Sequence, residues 1–264
     1  MTDRLGSLAL RSIVFVAFVF LLGPTLIIIL YSFFPSTYLT FPPTSLTLRW
    51  YGEAFQQHSL FIQPLLTSLH ISLIATAISA VVGTLAAFGV VRHRVRFQWI
   101  LNSFLLSPLL VPTLIVGFAG MLFLTAIGMS GTYAGLIAGH VVITLAFVIQ
   151  SVSVSLAGLD RSVEEAAMSL GSNAWRVLRR VTLPMVMPGL FAGAVFAWVT
   201  SFDELPLTLF LSTPKTLTLP VQLYGYLQQR SDPTFAAVSV LLIVISFVLL
   251  LILQKLGALD KRFY

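Results

Sequence analysis

The chain has 264 residues, of which 58% are hydrophobic and only 9% are charged, and its formal net charge is +6 at pH 7. Soluble globular domains carry about 25% charged residues, so this composition excludes them and indicates a membrane protein. The basic residues stand in short blocks between apolar runs, a pattern typical of topology signals rather than of nucleic-acid binding.

The first apolar run, SIVFVAFVFLLGPTLIIILYSFF, covers residues 12–34. It is longer than the apolar core of a signal peptide, about 7 to 15 residues, and lacks a small-residue cleavage site, so we expect it to remain as a membrane helix. Further runs cover 64–91, 99–127, 133–156, 185–202 and 234–253. They are continuously apolar, which favours helices over the alternating strands of a barrel. The sequence therefore predicts an all-α membrane protein with six transmembrane helices in a single domain over 1–264.

The third and fourth runs lie in a stretch, 97–159, that contains no Asp, Glu, Lys or Arg. The segment GMSGT at 128–132 supplies the turn between them. Pro108 and Pro112 each lack a backbone N–H, which predicts a kink or break in the third helix.

Small residues recur at four-residue spacing in SAVVG, GLIAG and GLFAG, which begin at Ser79, Gly135 and Gly189. This spacing lets helix backbones approach closely. We expect these segments to pack helices within the chain.

The distribution of arginine and lysine predicts the orientation. Three of these residues fall on one side of the predicted membrane and twelve on the other. The three are Arg49, Lys215 and Arg230, and the twelve are Arg4, Arg11, Arg92, Arg94, Arg96, Arg161, Arg176, Arg179, Arg180, Lys255, Lys261 and Arg262. The positive-inside rule then places both termini in the cytoplasm.

The loop at 158–184 falls on the arginine-rich side and interrupts the apolar pattern with EEAAMSLGSNAWRVLRRVTLP. Ser162 and Glu165 have the spacing of a capping box, which predicts the start of a short helix. Gly171 is expected to end that helix in the left-handed conformation, and Asn173 to cap a second one. Leu183 and Pro184 are expected to close the second helix before the next span.

One face of the first loop helix combines small apolar residues, Ala166, Ala167 and Leu170, with the acids Glu164 and Glu165. A face of this kind favours close approach of another protein. The alternative is an ordinary loop whose arginines set topology and bind anionic lipid headgroups.

The same residues resemble the EAA loop of ABC-importer permeases, whose pattern is E-A-A, three residues, G, nine residues, an aliphatic residue, one residue, then L-P. Glu165, Ala166, Ala167, Gly171, Val181, Leu183 and Pro184 match it in order. The resemblance implies the type I (MetI-like) permease fold in a bacterial inner membrane. It also implies a coupling helix, seated in a cytoplasmic ATPase subunit, that includes Glu164, Glu165, Ala166, Ala167, Leu170 and Gly171.

The resemblance further implies a second permease subunit, two ATPase subunits and an extracytoplasmic solute-binding protein. A P-loop requires Gly-Lys-Ser/Thr, but the three lysines follow Pro, Gln and Asp. We therefore expect no enzymatic activity and no cofactor in this chain, with ATP and Mg²⁺ used by the partner ATPase. The competing class is a stand-alone secondary transporter, which would show internal repeats, broken helices with ion ligands at the midplane, or buried acid relays.

Asp203 and Glu204 follow the fifth run at the predicted outer edge of the membrane. Carboxylates at this depth are costly unless they face water, a partner or a passing cation, so they are candidates for a substrate path. The alternative is an interfacial pair that anchors the helix end, bonded to Lys215.

The stretch SFDE with the later TLPVQLY, and LTLRWYGEAF after the first run, resemble the second permease subunit of spermidine/putrescine importers. This implies a polyamine or related organic cation as substrate, with Asp203 and Glu204 in its path. It also makes Trp50 a candidate contact at the outer mouth, although an interfacial anchor is the favoured interpretation of a tryptophan there. The other substrates considered are an opine, a phosphonate, ferric ion and an amino-acid derivative.

The four histidines, His58, His70, His93 and His140, form no i, i+4 pair with a carboxylate, and cysteine is absent. No metal site is predicted. We expect His70 and His140 to hydrogen-bond to neighbouring helices.

Overall fold

The structure is a computed structural model and describes residues 2–38, 42–43, 45–56, 58–92, 97–230 and 232–260. Side chains are described at 10–38, 42–43, 45–56, 60–92, 97–230 and 232–251. Predictions for eight side chains lie outside these ranges, namely those for Arg4, His58, His93, Arg94, Arg96, Lys255, Lys261 and Arg262.

Throughout the described ranges every regular element is helical, which confirms the predicted all-α class. The long helices are α1 (Thr2–Tyr31), α3 (His58–Arg92), α6 (Tyr133–Ala157), α9 (Leu183–Phe202) and α12 (Thr234–Asp260). The shorter ones are α2 (Arg49–Gln56), α4 (Gln98–Leu106), α5 (Thr113–Ala126), α7 (Arg161–Ser169), α8 (Ala174–Val177), α10 (Pro206–Leu211) and α11 (Leu219–Gln229).

Five helical segments of the described chain are long and apolar enough to cross a membrane. They are Leu10–Tyr31, Leu60–Arg92, Tyr133–Ala157, Ala174–Phe202 and Thr234–Leu251. A bent pair, Gln98–Leu109 with Thr113–Ala126, passes the same test jointly. Counted as one broken span, this pair brings the crossings to the predicted six.

The bent pair confirms the break predicted at Pro108 and Pro112. The chain direction bends by 100° between the two helices of the pair. Between them, α4 tightens into a 3₁₀ turn, Ser107–Leu109, and Pro112 then takes an extended conformation (φ −53°, ψ 128°) before α5 begins. Because neither proline can donate a helical hydrogen bond, the chain changes direction between them.

The chain forms two compact units, one made of Met1–Ile62 and Leu223–Val248 and the other of Gln63–Gln222 and Leu249–Tyr264. In the first unit, the outward side chains of Leu10–Tyr31 are exposed hydrophobics such as Phe15 and Phe20, as expected for a lipid-facing helix. Tyr226 in the same unit donates a hydrogen bond to Asp232 and packs edge-on against Phe61, with ring centroids 5.3 Å apart.

In the second unit, α6 packs against α3 and α9 through the small residues highlighted in the sequence. A Cβ added at Gly193 would lie 2.9 Å from the Val148 Cα, and one at Gly83 would lie 2.9 Å from the Val148 Cβ. The Ser79 and Thr144 hydroxyls hydrogen-bond across the same interface at 2.8 Å. The expected packing role of SAVVG and GLFAG within the chain is confirmed.

The short helix α10 lies against α5 and α6 in the same unit. A Cβ added at Gly117 of α5 would meet the Leu207 Cα at 2.8 Å, and Gly139 of α6 lies against Leu211. Leu207 and Leu211 are buried in the cluster that holds α5, α6 and α10 together. This packing fixes the segment that follows Asp203 and Glu204.

Candidate functional site

The first helix of the 158–184 loop, α7, begins at Asp160 rather than at the predicted capping box. The Asp160 Oδ1 accepts the Ser162 N–H at 2.9 Å, which lowers the pKa of the Asp160 carboxyl. Ser162 is therefore inside the first turn, and the prediction that it caps the helix with Glu165 is wrong. The physical reason is that a carboxylate is a stronger acceptor than a hydroxyl and is also favoured by the positive end of the helix dipole.

The joint between the two loop helices is the one predicted. Gly171 has φ +83°, its N–H donates to Met168 O at 2.9 Å, and the Ser172 N–H donates to Ala167 O at 3.1 Å. These two bonds form a Schellman motif, which requires the left-handed conformation that glycine adopts without steric cost. Asn173 caps the next helix, since its Oδ1 accepts the Arg176 N–H at 2.9 Å.

The end of the loop differs from the prediction that Leu183 and Pro184 close the second helix. Helical structure instead runs without interruption from Ala174 to Phe202, through a π turn at Leu178–Thr182. In that turn the Leu183 N–H bonds to Leu178 O, five residues back. A wider turn accommodates Pro184, which lacks a donor and would clash with a carbonyl in a regular helix. The loop is thus joined by continuous helix to the following span.

Glu164 ties α7 to two other parts of the same unit. Its Oε1 accepts from Arg92 Nη2 at 2.7 Å, at the end of α3, and from the Thr182 hydroxyl in the π turn at 2.5 Å. Both side chains of the ion pair are only 16% exposed. The carboxylate is therefore shielded from water and turned toward the membrane helices, unlike that of its neighbour Glu165.

Most of the remaining residues of the predicted coupling helix are exposed, either on α7 or directly after its end at Ser169. Glu165, Ala166, Met168, Leu170 and Gly171 are exposed and are called the docking face below. Leu170 is 88% exposed, and Met168 is 47% exposed. Ala167 is half-buried. Exposed apolar side chains next to small ones mark a surface that another protein can cover.

Asp203 and Glu204 have different surroundings although they are adjacent. Glu204 is buried, and its Oε1 accepts the N–H of Leu207 at 2.9 Å in the first turn of α10. Asp203 ends α9 and is exposed. Among the described residues neither acid pairs with Lys215. The expected bond to Lys215 is therefore not found, and the anchoring alternative rests on the bond from Leu207 to Glu204.

A chain of buried polar groups lies behind these acids. The His140 Nδ1 is 2.8 Å from the Ser201 hydroxyl, and its Nε2 is 3.1 Å from the Thr208 hydroxyl. Thr208 donates to Glu204 O at 3.0 Å, and Thr144 donates to His140 O at 2.8 Å. The expectation that His140 bonds to neighbouring helices is confirmed, and its side chain connects α6 with α9 and α10.

The structure places Trp50 and His70 in different surroundings. Trp50 is buried in the first unit, where its Nε1 donates to Phe34 O at 2.6 Å and its ring lies 5.1 Å below the Arg49 guanidinium. This is the geometry of an anchor for α2. His70 is exposed and makes no side-chain hydrogen bond within the described ranges, so the expectation for this residue is wrong. Its ring lies 6.2 Å from that of Tyr133.

The comparisons with known proteins agree with this arrangement. Residues 79–262, more than half of the chain, match the family described as binding-protein-dependent transport system inner membrane component. The chain belongs to this family of inner-membrane transport components. It is therefore an ABC-importer permease subunit, as the EAA loop predicted.

Individual relatives of this permease differ in the solute named for them. The chain is 32% identical over 240 residues, 88% of this chain and 84% of the relative, to the putrescine transport system permease protein PotI of Escherichia coli K12. It is 27% identical, over 81% of each chain, to the spermidine/putrescine permease protein PotC of the same strain. It is 30% identical over 98% of this chain and 96% of the relative to the putative 2-aminoethylphosphonate permease protein PhnV of Salmonella typhimurium LT2.

Solved structures show the same fold at low sequence identity. The permease matches a chain of a bacterial alginate ABC transporter, determined in complex with its alginate-bound periplasmic protein, with a TM-score of 0.72 at 16% identity over 96% of this chain and 93% of that chain. It matches a chain of the MetNI methionine ABC transporter in an inward-facing conformation with a TM-score of 0.67 at 17% identity, over 76% and 96% of the two chains. These matches confirm the MetI-like fold.

Within the permease, the predicted residues fall in three places. The coupling residues lie together on α7 and its Gly joint, and the acids at 203–204 lie at the other end of α9, which is 20 residues long. Trp50 belongs to the other unit. Sequence reasoning missed Arg92 and Thr182 as partners of Glu164, because nothing local marks a contact between residues 72 positions apart.

Proposed function

We propose that this permease subunit receives the energy of ATP through the docking face, which seats in a cytoplasmic ATPase subunit. In this proposal both termini are cytoplasmic, and the working transporter contains a second permease subunit, two ATPase subunits and an extracytoplasmic solute-binding protein. ATP and Mg²⁺ are bound and used by the ATPase subunits. The main support is the exposed, small and apolar docking face, on a loop that contacts α3 through Glu164 and Arg92 and continues as helix to Phe202.

Force applied to α7 has two routes into the membrane helices. One is the Glu164–Arg92 contact, which leads to α3, and the other is the unbroken helix from Ala174 to Phe202. Closure of two ATPase subunits on ATP would draw the two docking loops of a permease pair together. The membrane helices would then shift from an inward-open to an outward-open state, a population shift driven by the preference of ATP for the closed ATPase pair.

For the solute, the proposal is a polyamine or a related organic cation. The relatives named for putrescine and spermidine support it. So does the exposed carboxylate of Asp203 at the end of α9, which makes no ion pair within the described ranges. Glu204 has a different part in this proposal, since its buried carboxylate already holds the first turn of α10. The relative named for 2-aminoethylphosphonate favours a second candidate solute, which also carries an amino group.

Reconstitution in proteoliposomes tests the transporter class. Uptake is expected only when the permease pair, the ATPase subunits, internal ATP and the loaded solute-binding protein are all present. A stand-alone secondary transporter would instead move solute along an ion gradient with this chain alone. That result would overturn the proposal.

Replacement of Asp203 by asparagine is expected to slow uptake of a dication about fivefold, because a charge pair near 4 Å in water contributes about 1 kcal/mol. Initial rates of putrescine and 2-aminoethylphosphonate uptake, measured in the same reconstituted transporter, give the readout. The matched control is Glu204→Gln, whose amide oxygen can still accept the Leu207 N–H and which should change the rate less than twofold. If putrescine uptake is unchanged in Asp203→Asn, the cation assignment fails.

A further inference from the structure

A small cavity of about 190 Å³ opens at the start of the helical run that leads into the fifth span. It is lined by Asn173, Trp175, Arg176, Arg179 and Arg180, and this set is called the arginine pocket below. The three arginines have the i, i+3, i+4 spacing that places side chains on one side of a helix. All five residues are exposed, and the Trp175 side chain is 69% exposed.

The positive charge of the arginine pocket is not neutralised within the described part of the chain. The ion pairs found there join Arg49 to Glu53 and Arg92 to Glu164. Asn173 uses its side-chain oxygen to accept the Arg176 N–H, which leaves its amide NH₂ free to donate. The pocket therefore presents three guanidinium groups and an amide to a ligand, a donor set suited to a phosphate or carboxylate.

The length of the helical run indicates where the arginine pocket lies relative to the bilayer. Ala174–Phe202 has 29 residues, which at a rise of about 1.5 Å per residue gives about 44 Å, whereas the hydrocarbon core is about 30 Å thick. The uncharged part at 185–202 is by itself long enough for most of that core. The preceding turns, with the arginines and Trp175, therefore fall at the level of the headgroups, where arginine and tryptophan side chains are favoured.

We propose that the arginine pocket binds the phosphate of an anionic phospholipid. Arg176, Arg179 and Arg180 would hold the phosphate oxygens. The exposed indole of Trp175 precedes them in the helical run, so it lies farther from the hydrocarbon core and would pack against the headgroup. A protein carboxylate is the less favoured ligand, because the docking face is on α7 whereas the pocket is on α8 and the π turn. Only the assignment to the cytoplasmic leaflet rests on the proposed function, and the negative lipids of that leaflet attract basic clusters of this kind.

The test is native mass spectrometry of the assembled, detergent-purified transporter titrated with phosphatidylglycerol or phosphatidylcholine, in the absence of ATP and solute. Phosphatidylglycerol is expected to be retained in preference to phosphatidylcholine. The double variant Arg179→Gln with Arg180→Gln is expected to weaken its retention about thirtyfold, which is about fivefold for each arginine. The matched control, Arg161→Gln with Arg230→Gln, removes the same charge elsewhere and should change retention less than twofold.

Three results would overturn the lipid site. They are equal retention of the two lipids, equal retention by the two double variants, and binding of glycerol 3-phosphate as tightly as the lipid, which would indicate a soluble ligand. Loss of ATPase affinity in Arg179→Gln with Arg180→Gln, with phosphatidylglycerol retention intact, would assign the pocket to a protein carboxylate instead. Because no step requires ATP or transport, the outcome is independent of the coupling proposal.

Discussion

Replacing Gly171 by proline is expected to reduce ATP-driven uptake about tenfold or more while the chain still inserts in the membrane. Proline fixes φ near −65°, whereas Gly171 has φ +83°, and it removes the N–H that donates to Met168 O. A proline that fits neither the dihedral angle nor the hydrogen bond costs more than about 1 kcal/mol. Loss of about 1.4 kcal/mol of docking free energy already weakens binding tenfold. Solute uptake and ATPase stimulation by the loaded solute-binding protein provide the measurement.

The matched control is Gly171→Asn, because asparagine adopts the left-handed conformation at small cost and retains its backbone N–H. A Cβ at this position would meet no other atom of the described chain within 4 Å, so the loop itself accommodates the asparagine. Gly171→Asn should keep most of the uptake. Full ATPase stimulation in Gly171→Pro would show that the geometry of this joint is not needed for coupling.

Replacing Glu164 by alanine is expected to lower the number of solute molecules imported per ATP hydrolysed about tenfold or more. The change removes the acceptor of two hydrogen bonds, from Arg92 and Thr182, in surroundings where the Glu164 and Arg92 side chains are only 16% exposed. Hydrogen bonds to charged groups contribute about 1.5–3 kcal/mol each. Without them, movement of α7 would no longer be passed to the end of α3. We therefore expect Glu164 to act as a positioning residue rather than as a contact to the ATPase.

The ratio of uptake to hydrolysis distinguishes this role from simple destabilisation, which would lower both rates together. Glu164→Gln retains an acceptor oxygen and should fall between alanine and the native residue. Glu53→Ala removes the acid of the exposed Arg49–Glu53 pair and should leave the ratio unchanged. If Glu164→Ala keeps the native ratio, this contact does not transmit force.

The parts of the fold that depend on local chemistry could be predicted from the sequence. Apolar runs, the Gly171 joint, the Asn173 cap and the break between Pro108 and Pro112 are each determined by residues a few positions apart. The predicted start of α7 was wrong because Asp160 and Ser162 are both common N-caps. The capping-box spacing pointed to Ser162, although the charged carboxylate of Asp160 is the stronger acceptor. The predicted end of the second loop helix was wrong because a π turn lets Pro184 follow a helix without ending it.

The site required the structure wherever the partners are distant in sequence. Glu164 and Glu165 are indistinguishable as neighbouring acids, yet the first faces Arg92 and the second is exposed. Asp203 and Glu204 also differ in their surroundings, since only Glu204 accepts the N–H of Leu207. Which member of each acidic pair turns inward depends on how α3 and α10 pack, and composition does not encode that.

Site-specific cross-linking from the docking face tests the central proposal most directly. The chain contains no cysteine, so Leu170→Cys introduces a unique thiol at an 88% exposed position. With a short bifunctional reagent, this thiol is expected to cross-link to an ATPase subunit in the assembled transporter. The control is Ser130→Cys, at an exposed position in the turn before α6, which should give no cross-link. Efficient assembly and transport with no cross-link from residue 170 to any ATPase subunit would contradict the account.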